Sequence, residues 1–188
     1  SSALKEVDPN AEITFHHHII EPRKEFLLPL DDIDLLINAA DEPYIGYLNT
    51  ILCRLAIRKN IPFFAAGGFD AHLGCHGELT IFGETPCTDC YTSFFRESLA
   101  DWKPVKHPVA DRTLGFGGLP SLAAYSASHG AMIILRHFLK FSVDDGGRAE
   151  FLFRNNDTDR FKVERDPNCR SCGSKDSSSS SNINSNLH

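Results

Sequence analysis

The chain has 188 residues, 41% of them hydrophobic, and a formal net charge of -6 with its histidines neutral. That is enough apolar content for one domain with its own core, and the mildly acidic balance argues against a nonspecific nucleic-acid or anionic-membrane binder, which needs clustered lysine and arginine. No apolar run approaches the ~20 residues of a membrane span and the start lacks a signal-peptide pattern, so the expected address is cytoplasmic.

The opening "SSALKEVDPN" reads as the last turns of a helix closed by Asp8-Pro9. It has no initiator methionine, Met132 being the sole methionine, and the expectation is that an N-terminal part is missing. "AEITFHHHII" is rich in β-formers and suggests a strand around 11–19. "IDLLIN" at 33–38 is a short, nearly continuous apolar run, as expected of a strand buried on both faces. From Pro43 to Asn60, residues Ile45, Leu48, Leu52 and Leu55 recur near helical spacing, with Pro43 in the first turn and Arg58 and Lys59 in the last. "IPFFAAGG" at 61–68 is a second buried strand, so strand, helix and strand imply a parallel unit with a right-handed crossover.

"GELTIFG" at 77–83 is a further strand leading into "CTDC". A polar stretch with two prolines follows, and then Pro120 starts a long helix. Its small residues Ala123, Ala124, Ser126, Ala127, Ser128, Gly130 and Ala131 suit close packing. "RAEFLFR" and "RFKVER" read as a closing hairpin with its turn at Asn155 to Asp159, and it delivers the chain to "CRSC". The Ser- and Asn-rich end cannot bury enough surface to offset its ordering entropy. The expected organisation is therefore one folded unit over 1–172 and a disordered tail over 173–188.

Cys87, Cys90, Cys169 and Cys172 form two Cys-x-x-Cys pairs, each able to chelate one face of a tetrahedral zinc ion. Two disulfides or redox dithiols are the alternatives. Disulfides are unneeded in a cytosolic chain of this size, and a thioredoxin-like site uses one pair. The roughly 80 intervening residues exceed a compact ribbon's spacing, so the fold must bring the pairs together. Four cysteines close the coordination sphere, which makes such a zinc structural.

The other cysteines and the histidines read more plainly. Cys53, on the expected helix in an apolar setting, suits a core thiol better than a nucleophile. Cys75, between His72 and His76, is read as a loop cysteine in preference to a reactive thiolate. In "HHH" at 16–18, only His16 and His18 could share an ion from one face of a strand. "GFGG" at 115–118 follows no clear strand and lacks the spacing of a phosphate loop.

"INAAD", the helix, "IPFFAAGG", "GELTIFGETPCTDC", the small-residue helix and "RDPNCRSCG" occur in one order. Over about residues 1–173 this set resembles the ThiF/HesA/MoeB family, bacterial relatives of ubiquitin-activating enzymes. The resemblance implies an α/β, Rossmann-like activating domain, here partial, with a mixed sheet, flanking helices and a four-cysteine zinc staple. It also implies a homodimer that binds ATP and Mg²⁺ and adenylates the carboxylate of a small carrier protein or a ribosomally made peptide.

Asp41 matches the family's aspartate after the buried strand, which holds Mg²⁺ near the phosphates; a helix N-cap ahead of Pro43 is the other reading of it. The sequence departs from the family at Glu42, where asparagine is usual, and at Ile45 and Gly46, where an arginine is expected. The family's glycine-rich nucleotide loop, ribose-binding acid and phosphate-binding Arg and Lys would all lie N-terminal to this chain. No cysteine lies between Cys90 and the small-residue helix, where thioester-forming members carry theirs, which implies activation without thioester transfer at that place. A catalytically inactive module that binds a leader peptide is the rival expectation, and a zinc-stapled dimerisation domain the third.

Overall fold

The computed structural model describes residues 2–17, 30–40, 45–68, 73–98, 119–141 and 147–173. Its elements in chain order are α1 (Ser2–Val7), β1 (Leu36–Asn38), α2 (Ile45–Lys59), β2 (Phe63–Ala65), β3 (Leu73–Cys75), β4 (Glu78–Thr80), α3 (Thr88–Ser98), α4 (Pro120–Phe138), β5 (Gly147–Leu152) and β6 (Asp157–Lys162). The closing turn at Asp8 is as expected, with its amide N–H donating to the Leu4 carbonyl at 2.9 Å. The strand expected over 11–19 is not formed. Residues 11–17 join no sheet, while 18 and 19 lie outside the described residues. β-Propensity alone does not make a strand without a partner edge.

The expected parallel unit is present. β1 pairs parallel with β2, Leu36 opposite Phe63 and Asn38 opposite Ala65, and α2 lies between them in sequence. Leu48, Leu52, Cys53 and Ala56 give α2 its buried face. The helix ends in a Schellman motif: Asn60 takes a left-handed φ of 55°, while the N–H groups of Asn60 and Ile61 donate to the carbonyls of Ile57 and Ala56. β2 is buried throughout. β1 is not: among the described residues it stands at the edge of its sheet, and Ile37 is 52% exposed; burial on both faces was expected there.

β4 adds to the other side of β2, antiparallel, with Phe63 opposite Thr80. The first sheet, β1-β2-β4, is therefore mixed. A second, wholly antiparallel sheet of order β3-β5-β6 was not anticipated. β3 contains Cys75, 5% exposed, so this cysteine lies in a strand and not in a loop. The hairpin is real but its turn falls at 153–156, ahead of the expected position. Asn156 supplies the left-handed φ of 50° that lets β6 begin at Asp157.

Leu122, Ser126 and Gly130 form the buried seam of α4 at intervals of four. Ser126 and Gly130 permit close approach at this seam, whereas Ala124, Ala127, Ser128 and Ala131, also expected to pack closely, are exposed. A Cβ on Gly130 would come within 2.9 Å of the Phe64 ring, and one on Gly74 within 2.8 Å of Ser126 Oγ. The stretch after the first cysteine pair, read from the sequence only as polar with two prolines, continues α3, which starts at Thr88 inside that pair. Tyr91, Phe94 and Phe95 share one side of it, and Phe95 packs edge-on against Phe161 of β6. Among the described residues no helix is long and apolar enough to cross a membrane.

Candidate metal centre

The turn from β4 to α3 presents the first cysteine pair. Thr85 Oγ1 donates to the Leu79 carbonyl at 2.9 Å and accepts the Ile81 N–H at 2.8 Å, and Thr80 Oγ1 donates to the Pro86 carbonyl at 3.3 Å. Cys87 then stands just before α3, its carbonyl accepting the Tyr91 N–H, and Cys90 lies in the first turn of that helix. The second pair is held by its own tight turn. The Cys169 N–H donates to the Asp166 carbonyl and the Gly173 N–H to the Cys169 carbonyl. A Cβ on Gly173 would sit 2.5 Å from the carbonyl oxygens of Pro167 and Cys169, so glycine is required by close approach.

The fold brings the pairs together. The four sulfurs all lie within 4.8 Å of one another, with Cys87–Cys90 at 3.9 Å, Cys87–Cys169 at 3.6 Å and Cys90–Cys172 at 3.4 Å. No disulfide links them, which sets aside the two-disulfide alternative for this structure. A tetrahedral ion with metal–sulfur bonds near 2.3 Å would have sulfur–sulfur edges of about 3.8 Å. The observed separations fit that requirement, and the donor set is one that soft or borderline metals prefer.

Two of the four thiols are hard to ionise without a cation, whereas at Cys169 burial is outweighed by hydrogen bonds from the backbone of Cys172 and Ser171, which lower that thiol. Burial foremost pushes the Cys172 thiol up to about 12. Cys87 is raised as well, first by its hydrogen bond with the Cys53 sulfur and then by burial. Cys87, Cys90 and Cys172 also belong to the main apolar cluster with Leu52, Cys53, Ala56 and Phe63, so the cluster sits where α2 meets the first sheet. Cys53, 1% exposed, is the core thiol expected of it.

Four further residues tie the two pairs to the fold, and none was anticipated. Arg54 on α2 donates to Asp89 Oδ2 at 2.9 and 2.8 Å and to Ser171 Oγ at 3.0 Å, and Ser171 Oγ itself donates to Asp89. Asp89 and Ser171 hold the same position within "CTDC" and "CRSC". Arg165 donates from Nε and Nη2 to the Cys172 carbonyl at 3.2 and 2.7 Å, and from Nη1 to the Gly83 carbonyl at 3.5 Å. The polar spacer residues were the one sequence signal that pointed to such bracing.

Asp41, Glu42 and the "GFGG" at 115–118 lie outside the described residues, as does His18. His16 and His17 are exposed on non-strand backbone. The tail from 174 onward also lies outside the described residues.

No family model and no curated protein matches the sequence. Among solved structures the chain is similar to E. coli MccB with ATP, at 18% identity and a TM-score of 0.55 over 74% of this chain and 39% of that one. It is similar to the microcin C7 biosynthetic enzyme MccB in complex with N-formylated MccA, at 19% identity and 0.57 over 74% of this chain and 41% of that one. A heterocyclase in complex with substrate and cofactor matches at 18% identity and 0.56, over 74% of this chain and 20% of that one. MccB is a ThiF-family adenylating enzyme, so the resemblance read from the motif order is met at the level of fold. The chain has a mixed α/β fold like that of MccB, spans about two fifths of that enzyme's length, and carries four cysteines close enough together to bind a metal.

Proposed function

We propose that this chain belongs to an ATP-dependent enzyme that activates a carboxylate on a ribosomally made peptide or a small carrier protein. The observation that carries the reading is the likeness of fold, over three quarters of the chain, to an enzyme solved with ATP and with the peptide MccA. In the reaction a carboxylate oxygen of the substrate attacks the α-phosphorus of ATP, a new P–O bond forms, and pyrophosphate departs with the electrons of the broken bond. Such a displacement needs positioning and charge neutralisation more than a protein nucleophile, and the cysteine cluster does not serve it chemically.

Cys87, Cys90, Cys169 and Cys172 would hold a structural zinc ion, whose closed sphere offers stability and no Lewis-acid site. Asp41 would follow β1 at the end where open α/β sheets bind ligands and would hold Mg²⁺ there. Mg²⁺, when bound, neutralises charge on the phosphates. The exposed edge of β1 at Ile37 supports a nucleotide half of the domain upstream of these residues. The homodimer implied by the family resemblance would find an apolar face on α4, where Met132, Leu135 and Phe138 are about half exposed.

ATP–pyrophosphate exchange with the protein extended upstream, in the presence of candidate peptides, tests this reading. Exchange that disappears in Asp41→Ala, with the melting temperature kept, supports it. Peptide binding without exchange, and indifferent to Asp41→Ala, favours the inactive peptide-binding module that the missing arginine at Ile45 and Gly46 suggests.

A further inference from the structure

A cavity of about 170 Å³ lies between the C-terminal half of α4, the start of β4 and the β5–β6 hairpin. Its polar lining includes His76, His129, Arg136 and Arg160, and its apolar lining includes Leu79 and Ile133. His76 is 2% exposed, and among the described residues neither of its ring nitrogens has a hydrogen-bond partner. Its ring stacks on that of His129, centroids 3.6 Å apart and planes 18° from parallel. A buried imidazole with both donor and acceptor unmet is costly to keep. A ligand in the cavity would offset that cost.

Charge decides what kind of ligand. The lining offers two guanidinium groups and, among the described residues, no carboxylate. That combination repels cations and attracts an oxyanion. The histidine rings lie face to face, and neither belongs to a group of three or more potential metal ligands among the described residues. Burial first, and then His129 and Arg160, hold His76 down to about 4, so near neutral pH it is a neutral ring with one N–H to donate. Leu79 and Ile133 call for an apolar body behind the charged head. The volume compares with the roughly 150 Å³ that accepts benzene in an engineered core.

We propose that this cavity binds a small carboxylate on an apolar body, with Arg160 facing the carboxylate and His76 donating a hydrogen bond to it. A free organic acid and the terminal residue of a peptide share this chemistry. None of the four clustered cysteines lines the cavity, and the proposal does not depend on the adenylation reading.

Benzoate is the probe. The full chain is titrated with it by calorimetry while the His76 ring nitrogens are followed by ¹⁵N NMR. Saturable binding, one per chain, that moves the His76 signals is expected. Arg160 is exposed on β6, so Arg160→Gln should keep the fold and weaken binding at least about tenfold, as loss of a charge-assisted hydrogen bond implies. Arg96→Gln, on the exposed side of α3 and outside the cavity, should change nothing. Benzamide binding as tightly as benzoate would overturn the oxyanion assignment. Inorganic phosphate competing as well as benzoate would overturn the apolar body. Peptides ending in phenylalanine, free or amidated, separate the two sources, since competition by the free-acid peptide alone assigns chain termini and competition by neither assigns free acids. Absence of saturable benzoate binding, or binding indifferent to Arg160→Gln, removes the proposal.

Discussion

Arg54 on α2 places Nε and Nη2 on the same oxygen of Asp89, at 2.9 and 2.8 Å, and that oxygen also takes the Ser171 hydroxyl proton. One carboxylate between the first two cysteines thus links a helix to the spacer of the second pair. Arg54 is 45% exposed, so the ion pair by itself should contribute under about 1 kcal/mol. Its importance is geometric, because it fixes the distance between two knuckles that lie 82 residues apart.

Asp89→Ala should therefore lower the melting temperature only slightly while loosening the cluster. The expected sign is faster loss of metal to a chelator, on the scale of the tenfold or more seen when groups that orient metal ligands are removed. Stopped-flow chelation with a chromogenic reporter checks this. Equal release rates in Asp89→Ala and the parent would show that the bracing does not reach the sulfurs.

Metal content follows from the sulfur geometry. The purified chain should carry about one zinc per molecule, and Cys87→Ser or Cys172→Ser should remove it along with much of the stability, since both sulfurs lie in the core. The raised Cys87 and Cys172 thiols must lose their protons to ligate. Binding therefore releases protons, and apparent affinity should rise with pH. Elemental analysis gives the stoichiometry, and competition against a chelator at several pH values gives the slope. An affinity flat with pH would contradict thiolate ligation.

The small-residue seam of α4 predicts a packing penalty. Gly130→Ala would put a Cβ 2.9 and 3.1 Å from two ring carbons of Phe64, itself only 3% exposed and so unable to swing away. Although alanine favours helix by about 1 kcal/mol over glycine, overpacking of about 1–3 kcal/mol should outweigh it. Urea denaturation measures the balance. A stabilised variant would mean the helix and the sheet separate easily.

What could be read ahead of the structure was set by how local its cause was. The Cys-x-x-Cys spacing, the α2 face at Leu48 and Leu52, and the helix begun by Pro120 each carry their meaning within a few turns and are recognisable, although of the small residues from Ala123 to Ala131 only Ser126 and Gly130 are buried. α3 is not among the elements read from the sequence although Tyr91, Phe94 and Phe95 have helical spacing, because its residues open a stretch that reads as polar and holds the prolines at 104 and 108. β3 is three residues, one of them glycine, and exists only because β5 pairs with it from far along the chain. The same holds for His76 against His129 and for Arg54 against Asp89. Such pairs are consequences of tertiary contact, with no periodicity to announce them.

The last prediction concerns two neighbours whose protonation opposes one another. Glu78, 12% exposed with Oε1 3.5 Å from Arg148 Nη1, is pushed up by burial to about 7, against the pull of Arg148. Its ordinary value is 4.5, so the stability it contributes is present below that pH and is lost as pH rises through about 7. His76 is pushed down from 6.5 to about 4 by burial first and then by His129 and Arg160. Its contribution is present above 6.5 and is lost as pH falls toward 4. Each arm is on the order of 3 kcal/mol, and between pH 4.5 and 6.5 they run in opposite directions. The parent should consequently show a shallow pH profile across that window. Glu78→Gln should expose the histidine arm, with stability climbing as pH rises, and His76→Phe should expose the carboxyl arm, with stability falling. Urea midpoints across that range, taken for all three proteins, decide it. Parallel profiles would mean that neither group is held from its ordinary protonation, and that water reaches the space between the two sheets.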